Sequence, residues 1–507
     1  MSQVDMTKRT LYQKYTELKP TGAGVLFFIQ MFSTLAFGVL NFTLALYMTN
    51  ALKLNDNVAI GITATFVAFN FFLHLLGGYV GGRFLSYRIL FSIGMMAQLI
   101  GCLWIAIPTL PFFFWGLAAF LTGAGINVTC VNCMLTQLFQ PNDKRRETAF
   151  LWNYSGMNIG FFIALYVSGY YFKQNNYHTL FILAGLGNLV SLLLILFKWR
   201  LVRDTNTTLV ALPANQRLSG YFKGAVILVM VFLALRWLLE NPYFSNGLVL
   251  TVGIAMGFVM VFIAMKQPHA DDRKKIWAYI ILTLASLAFW ILYQLCPLGL
   301  TLFTERNVDR HYLGMFIAPQ WIQNINTVVI IFGGPLLSML FTTLRSRGRG
   351  VTIPVQFALA LILMGLGLAL LPIGIHFANA QGLSSFDWVF WCYVLQAIGE
   401  LFIGPIGYAM VGQLAPVRLQ GLMMGTWMMS TGVAATIAAY FSNLMLGPSQ
   451  STDPLVTNPS FSHIFNWLGW GTIAIGILVL LLRPFILRLT QEKQLFAKPQ
   501  SVTEVPM

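Results

Sequence analysis

Few residues in this 507-residue sequence could do chemistry, because 57% are hydrophobic and only 9% are charged. Within the long apolar runs one carboxylate stands apart: Glu400, followed by Leu-Phe-Ile-Gly-Pro. Glu240, Glu305 and Asp309 fall at the outer edges of such runs, and Asp387 at the start of one. A charge at the middle of a bilayer costs several kcal/mol, so a deep carboxylate marks function by default. It can hold a cation or carry a proton. His74 is a lone histidine inside another run. An imidazole titrating near neutrality suits a proton carrier, although a hydrogen-bonded structural histidine is the commoner role. Cys130 and Cys133 form a CxxC, and Cys102, Cys296 and Cys392 are equally deep. All five read as small buried residues, since redox or metal work needs accessible partners nearby. No H-x-x-x-D, H-E-x-x-H or G-x-S-x-G occurs, so the common hydrolytic sites are not indicated. Neither a metal nor an organic cofactor is expected.

The elements that must position these residues follow from the apolar runs. Each is roughly 18–28 residues long, the length that crosses a hydrocarbon core of about 30 Å. Only helices and closed barrels satisfy their backbones in lipid, and the alternating ten-residue segments of a barrel are missing. The chain therefore reads as all-α and integral to the membrane. Fourteen spans are expected, at 22–49, 57–80, 88–108, 112–139, 148–172, 178–199, 219–239, 244–266, 275–302, 318–343, 350–373, 386–413, 420–446 and 463–487. The first twenty residues are polar and basic, and no cleavable signal peptide is expected.

The net charge of +15 is a topology signal and not a nucleic-acid footprint. With the N-terminus inside, 26 of the 31 Lys and Arg face inward, among them Lys8, Arg9, Arg83, Arg145, Arg200, Lys274, Arg345, Arg347 and Arg349. Lys53, Lys173, Arg306 and Arg310 face outward, and Arg236 lies within a span. That asymmetry places both termini in the cytoplasm.

Two inner loops repeat. GGYVGGRFLSYR runs from Gly77 to Arg88, and GGPLLSMLFTTLRSRGR from Gly333 to Arg349. Setting aside the seventh and eighth spans puts the two loops at equivalent places in halves of six helices. A duplicated six-helix half is the plan of alternating-access transporters. The expected organisation is an N-terminal half at 1–200, a linker and two-helix hairpin at 201–273, a C-terminal half at 274–490 and a flexible cytoplasmic tail at 491–507. The hairpin should turn at Glu240–Asn246. Small residues closing on an inner-surface arginine resemble the loop motif of the major facilitator superfamily, which makes Gly77, Gly78 and Arg83 candidates for gating.

Longer blocks carry a more specific resemblance. PNDKRRETAFLWNYSGMNIG, from Pro141 to Gly160, is similar to the fifth-helix motif F-Y-x-x-I-N-x-G, with Tyr154, Asn158 and Gly160 matching. FWILYQ at Phe289–Gln294, WIQNIN at Trp321–Asn326 and the run Leu395–Trp427 are similar to further blocks of the same family. The chain resembles the proton-dependent oligopeptide transporters along nearly all its length. The resemblance implies that Glu400, Asn158 and Asn326 together hold a substrate amino group, an anion and two amides forming an ammonium clamp. Tyr154, Trp290 and Trp427 are expected to line the cavity as aromatic walls.

The departures matter as much. The family's first helix carries E-x-x-E-R-F-x-Y-Y. In register with Tyr47, those places hold Gln30, Ser33, Thr34, Leu35, Phe37 and Gly38, so all three charges are gone. Val128 replaces a fourth-helix lysine, and Gln294 stands at the acidic place of the seventh helix. No bidentate guanidinium remains for a substrate carboxylate. Gln30, Thr34, Phe37 and Gln294 are retained as substrate-facing candidates, and Glu400 and His74 as proton carriers. The expected function is proton-coupled symport of small peptides, or of peptide-like or amine-bearing solutes, across the inner membrane, driven by the proton gradient. Ordinary free-carboxylate dipeptides are expected to bind poorly. Other readings are a same-fold transporter of a siderophore, drug-like amine or metabolite, acting as exporter or facilitator, and a transport-dead sensor. The expected partners are the bilayer and a small solute, with no nucleic acid, and the protein is expected to act as a monomer.

Overall fold

The structure, a computed structural model, describes residues 22–139, 145–205, 207–312, 314–347, 351–416, 419–447 and 451–490. Fourteen long helices match the expected spans. They are α1 Ala23–Asn50, α2 Asp56–Val80, α3 Tyr87–Ile105, α4 Leu110–Gln137, α5 Arg145–Lys173, α6 Tyr177–Phe197, α7 Ala214–Glu240, α8 Pro242–Lys266, α9 Ala270–Gln294, α10 Pro319–Ser346, α11 Ile353–His376, α12 Phe386–Leu414, α13 Gln420–Leu446 and α14 Pro454–Leu481. Thirteen of them are long and apolar enough to cross a membrane. The other, α5, is 29 residues long and carries Asn153, Tyr154, Ser155 and Asn158, groups that suit a cavity better than lipid. Lys8, Arg9, Arg349 and the tail 491–507 lie outside the described residues, as do the side chains of Arg145 and Arg345.

Local signals explain where the helices start. Asn55 caps α2 by accepting a hydrogen bond from the Asn57 amide at 2.9 Å, and Asp453 does the same for Leu455 ahead of α14 at 2.9 Å. Pro111, Pro242, Pro354 and Pro454 sit in the first turns of α4, α8, α11 and α14, where the missing N–H has no partner to lose. Within each half, glycines let backbones touch. A Cβ at Gly101 would lie 2.6 Å from the Gly116 oxygen, and one at Gly365 would lie 2.6 Å from the Gly469 oxygen. Small residues allow this close helix approach in membranes.

The helices form the two halves of a major facilitator fold, α1–α6 and α9–α14, with the α7–α8 hairpin between them in sequence. One apolar cluster runs from Met260 to Ile486 and also takes in Leu46, Ile60 and Ala64. Two others lie between Leu26 and Leu239, joined by Ala435 from the second half. The hairpin turns on a single residue, Asn241, and α8 packs on α2, α9 and α13.

α14 begins at Pro454, nine residues before the expected start at 463, and one further span differs from the sequence expectation. The ninth span, expected to run through 302, breaks after Gln294 and resumes as a short helix, Gly299–Arg306. The carbonyl freed at Cys296 accepts from Thr301 Oγ1 at 2.5 Å and from Gln323 Nε2 of α10 at 3.2 Å. Hydropathy cannot register a break that a neighbouring helix satisfies. The polar linker after α6 is docked: Leu209 N and Thr208 Oγ1 both donate to the Gly82 oxygen, at 2.9 and 2.8 Å. Gly82 takes φ +72 there, a conformation glycine adopts without strain.

Candidate functional site

Glu400 lies on α12, one helical turn before Pro405 in the same helix. Asn326 of α10 donates from Nδ2 to Glu400 Oε2 at 2.9 Å. The Tyr293 side chain of α9 lies close to the same carboxylate. Three helices of the C-terminal half therefore meet at one anion. Among the described residues Glu400 has no ion-pair partner, so neutral donors alone hold it.

From the other half, α5 supplies Tyr154 and Asn158. Asn158 Nδ2 donates to the Tyr154 carbonyl at 2.9 Å. Tyr154 lies within electrostatic reach of both Glu400 and Tyr408, yet 46% of its surface is accessible. A side chain so placed and so accessible borders the space between the halves. Asn158 sits one turn further along that face of α5, so both expected clamp amides belong to helices that border Glu400.

The remaining candidates are placed less uniformly. Trp290 is half-buried on α9, edge-on to Tyr293 at 5.6 Å between ring centres, and its indole Nε1 is buried without a partner. Gln294 is buried one turn beyond. Trp427 is only 2% exposed and does not border the space. Its indole fills the hollow over Gly407, where a Cβ would approach to 2.0 Å, and it packs beside Phe357 at 6.2 Å. On α1, Gln30 Nε2 donates to Thr34 Oγ1 at 3.0 Å, leaving the buried Gln30 Oε1 without a partner. Thr34 is pressed against α5, where a Cβ on Gly160 would come within 3.2 Å of it. Phe37 stacks on Phe66 at 5.9 Å and meets Phe161 edge-on at 6.2 Å.

His74 is set apart from this group. Its Nδ1 lies 2.7 Å from the Gly125 oxygen, and its own carbonyl accepts from Thr129 Oγ1 at 3.0 Å. It ties α2 to α4. Gly77 belongs to the same contact, since a Cβ there would lie 3.1 Å from the Ile126 backbone, whereas Gly78 is merely close to Thr129. Arg83 is exposed over the Tyr79 and Phe84 rings at 4.9 and 5.6 Å.

Sequence reasoning missed Tyr293, whose only signal is its place one turn after Trp290. It also missed a set of contacts that closes one end of the bundle. Arg306 bonds Asp56 through both guanidinium nitrogens at 2.6 and 3.0 Å, and Asn50 donates to Glu305 at 2.8 Å. Tyr166 stacks on Trp321 at 5.8 Å, and the Trp321 indole donates to the Tyr166 carbonyl at 2.9 Å. Asn324 reaches the Phe162 carbonyl at 3.2 Å. Every one of these contacts joins the two halves. At the opposite end, Trp152, Tyr154 and Tyr408 are open. α1 and α4 contain no Asp, Glu, Lys or Arg. Among the described residues no cluster of His, Cys, Asp and Glu is built to hold a metal.

The comparisons with known proteins agree with this arrangement. Residues 84–458 match the family described as the POT family. The chain is 30% identical to dipeptide and tripeptide permease A of Cronobacter turicensis over 479 residues, covering 94% of each chain. It is also 30% identical to dipeptide and tripeptide permease A of Escherichia coli K12 over 480 residues, again 94% of each. Among solved structures it superposes on a peptide transporter POT in complex with sulfate with a TM-score of 0.81 at 24% identity, covering 93% of this chain and 96% of that one. A POT family transporter in complex with 5-aminolevulinic acid superposes with a TM-score of 0.79 at 22% identity, covering 92% and 96%. The extent of the family match and the full-length relatives place this chain in the POT family of membrane transporters.

Proposed function

We propose that this protein is a proton-coupled symporter of small peptides in the inner membrane, in which Glu400 is the carboxylate that holds the peptide's amino terminus and responds to the proton. The observation that carries the reading is the Asn326–Glu400 pair at 2.9 Å, a carboxylate with a neutral donor and no cation. An uncompensated carboxylate in a membrane interior is costly, and either a proton or an ammonium group removes that cost. The relatives named as dipeptide and tripeptide permeases support the peptide as the solute.

The basic residues orient the cycle. With both termini in the cytoplasm, the end closed by Asp56–Arg306 and Tyr166–Trp321 faces outward, and the open end at Tyr154 and Tyr408 faces the cytoplasm. The structure is then an inward-facing state. The chain acts as a monomer, powered by the proton gradient without an organic cofactor.

The same site makes a sharper statement about recognition. The amino end of a peptide meets a charge, and the carboxyl end meets Gln30, Thr34 and Val128, none of which is a cation. The test is uptake into liposomes carrying an inward proton gradient. Accumulation of a radiolabelled dipeptide should collapse when the gradient is dissipated. Accumulation that is indifferent to the gradient would remove proton coupling from the reading.

A further inference from the structure

The hairpin α7–α8 contributes nothing to the site around Glu400, yet one of its side chains leaves the hairpin to bond both halves. Most of α8 faces outward from the bundle: Tyr243, Phe244, Ile254, Phe258 and Phe262 are all well exposed. Its other polar side chains stay local, with Ser245 donating to the Leu238 carbonyl and Thr251 to the Gly247 carbonyl. Asn246 is different. Its Nδ2 donates to the Gly61 carbonyl of α2 at 3.2 Å. Its Oδ1 accepts from Thr436 of α13 at 3.3 Å and from Thr65 of α2 at 3.5 Å. Packing holds the amide in place. Pro242 fills the space over Gly61, where a Cβ would lie 3.2 Å away, and Gly253 allows Val433 of α13 to approach α8, where a Cβ would lie 2.5 Å away.

We propose that Asn246 is a positioning residue of the transport cycle, a staple by which the hairpin holds α2 against α13 and keeps the outer end of the bundle closed. The location carries the argument. Gly61 lies little more than one turn from Asp56, the α2 residue that pairs with Arg306 at the closed end. Among the described residues no side-chain hydrogen bond joins α2 and α13 further along the seam, where Gly432 packs against Ala68 and Phe72 and Gly425 against Leu75. Those contacts can slide or part without leaving a polar group unpaired. Parting at Asn246 leaves the amide or the Thr436 hydroxyl without its partner in a lipid-bordered place, which is unfavourable. Opening the outer end therefore breaks a bond that the hairpin makes, and the hairpin biases the resting state toward closure.

The test measures conformation in the absence of any substrate, so it is independent of what the protein carries. Spin labels are placed at Gln174→Cys and Ala380→Cys, exposed positions on outer loops of opposite halves, in a Cys133→Ser background. Distance distributions are recorded for the full-length protein in lipid nanodiscs, with the substitutions Asn246→Ala, Thr436→Val and both. Each single substitution should raise the ratio of long to short distances about threefold, the change produced by the ~0.6 kcal/mol typical of one interhelical hydrogen bond in a membrane. The double variant should go no further than either single one. Unchanged distributions in the single variants, a shift in only one of them, or a double effect equal to the product of the two would overturn the proposal. Should Asn246→Ala fail to fold, Asn246→Gln against Thr436→Val makes the same comparison.

Discussion

The two halves share a fold and differ in what they present to the space between them. The C-terminal half offers an anion with its supports: Glu400, Asn326 and Tyr293, drawn from α12, α10 and α9. The N-terminal half borders it with the accessible ring of Tyr154, while Gln30, Thr34 and Asn158 are buried and no charged residue occurs anywhere in α1 or α4. On the function proposed above, the difference makes recognition polarised. A solute would be anchored at one end by charge and at the other only by shape and neutral hydrogen bonds.

The comparison breaks most completely at Glu400. Glu400→Gln keeps the shape and removes the only charge, so gradient-driven accumulation should fall to the level of protein-free liposomes while the protein still purifies as a folded species. Unchanged accumulation would move coupling to another group. Next in size is Asn326→Ala, which removes the donor on Oε2. Bonds to charged groups contribute about 1.5–3 kcal/mol, so peptide affinity measured by thermal shift or calorimetry should fall by roughly 10- to 100-fold.

A substitution in the neutral half sharpens the comparison from the other side. Thr34→Arg restores a cation opposite Glu400. It should raise the preference for free-carboxylate peptides over their amides by about tenfold, in line with one charge-assisted bond, while leaving the requirement for a free amine intact. No change in that preference would mean that Thr34 does not face the solute. A smaller effect concerns packing. Gly407→Ala drives a methyl into the Trp427 indole, and overpacking of this kind costs about 1–3 kcal/mol. The expected outcome is a melting temperature lower by several degrees with the selectivity between peptides and their amides unaltered, since Trp427 supports the C-terminal half and does not line the space.

Much of this architecture could be read from the sequence. The spans follow from run length, and Glu400 follows from the cost of a charge in lipid. Asn326, which bonds it, and the candidate Asn158 were legible only through the family blocks around Tyr154 and Trp321, because nothing in composition or spacing brings α5, α10 and α12 together. Features that depend on distant partners were not legible. The break after Gln294 is satisfied by Gln323, and the Asp56–Arg306 latch joins residues 250 positions apart. Trp427 reads as a cavity wall by type, and only Gly407 across the interface determines that it is core. His74 reads by type as a candidate carrier with a structural role the commoner one, and its ring bond to the Gly125 carbonyl, which ties α2 to α4, fits the structural role.

The polarised site is tested most directly by masking each end of one peptide. Three competitors are compared against uptake of a labelled dipeptide: the free dipeptide, its carboxyl-terminal amide and its amino-terminal acetyl derivative. Anchoring by Glu400 predicts that acetylation weakens competition at least tenfold, the scale of a lost charge-assisted bond, whereas amidation leaves it unchanged or improves it. Equal losses at both ends, or a greater loss from amidation, would contradict the account and require a cation facing the solute, where α1 and α4 have none.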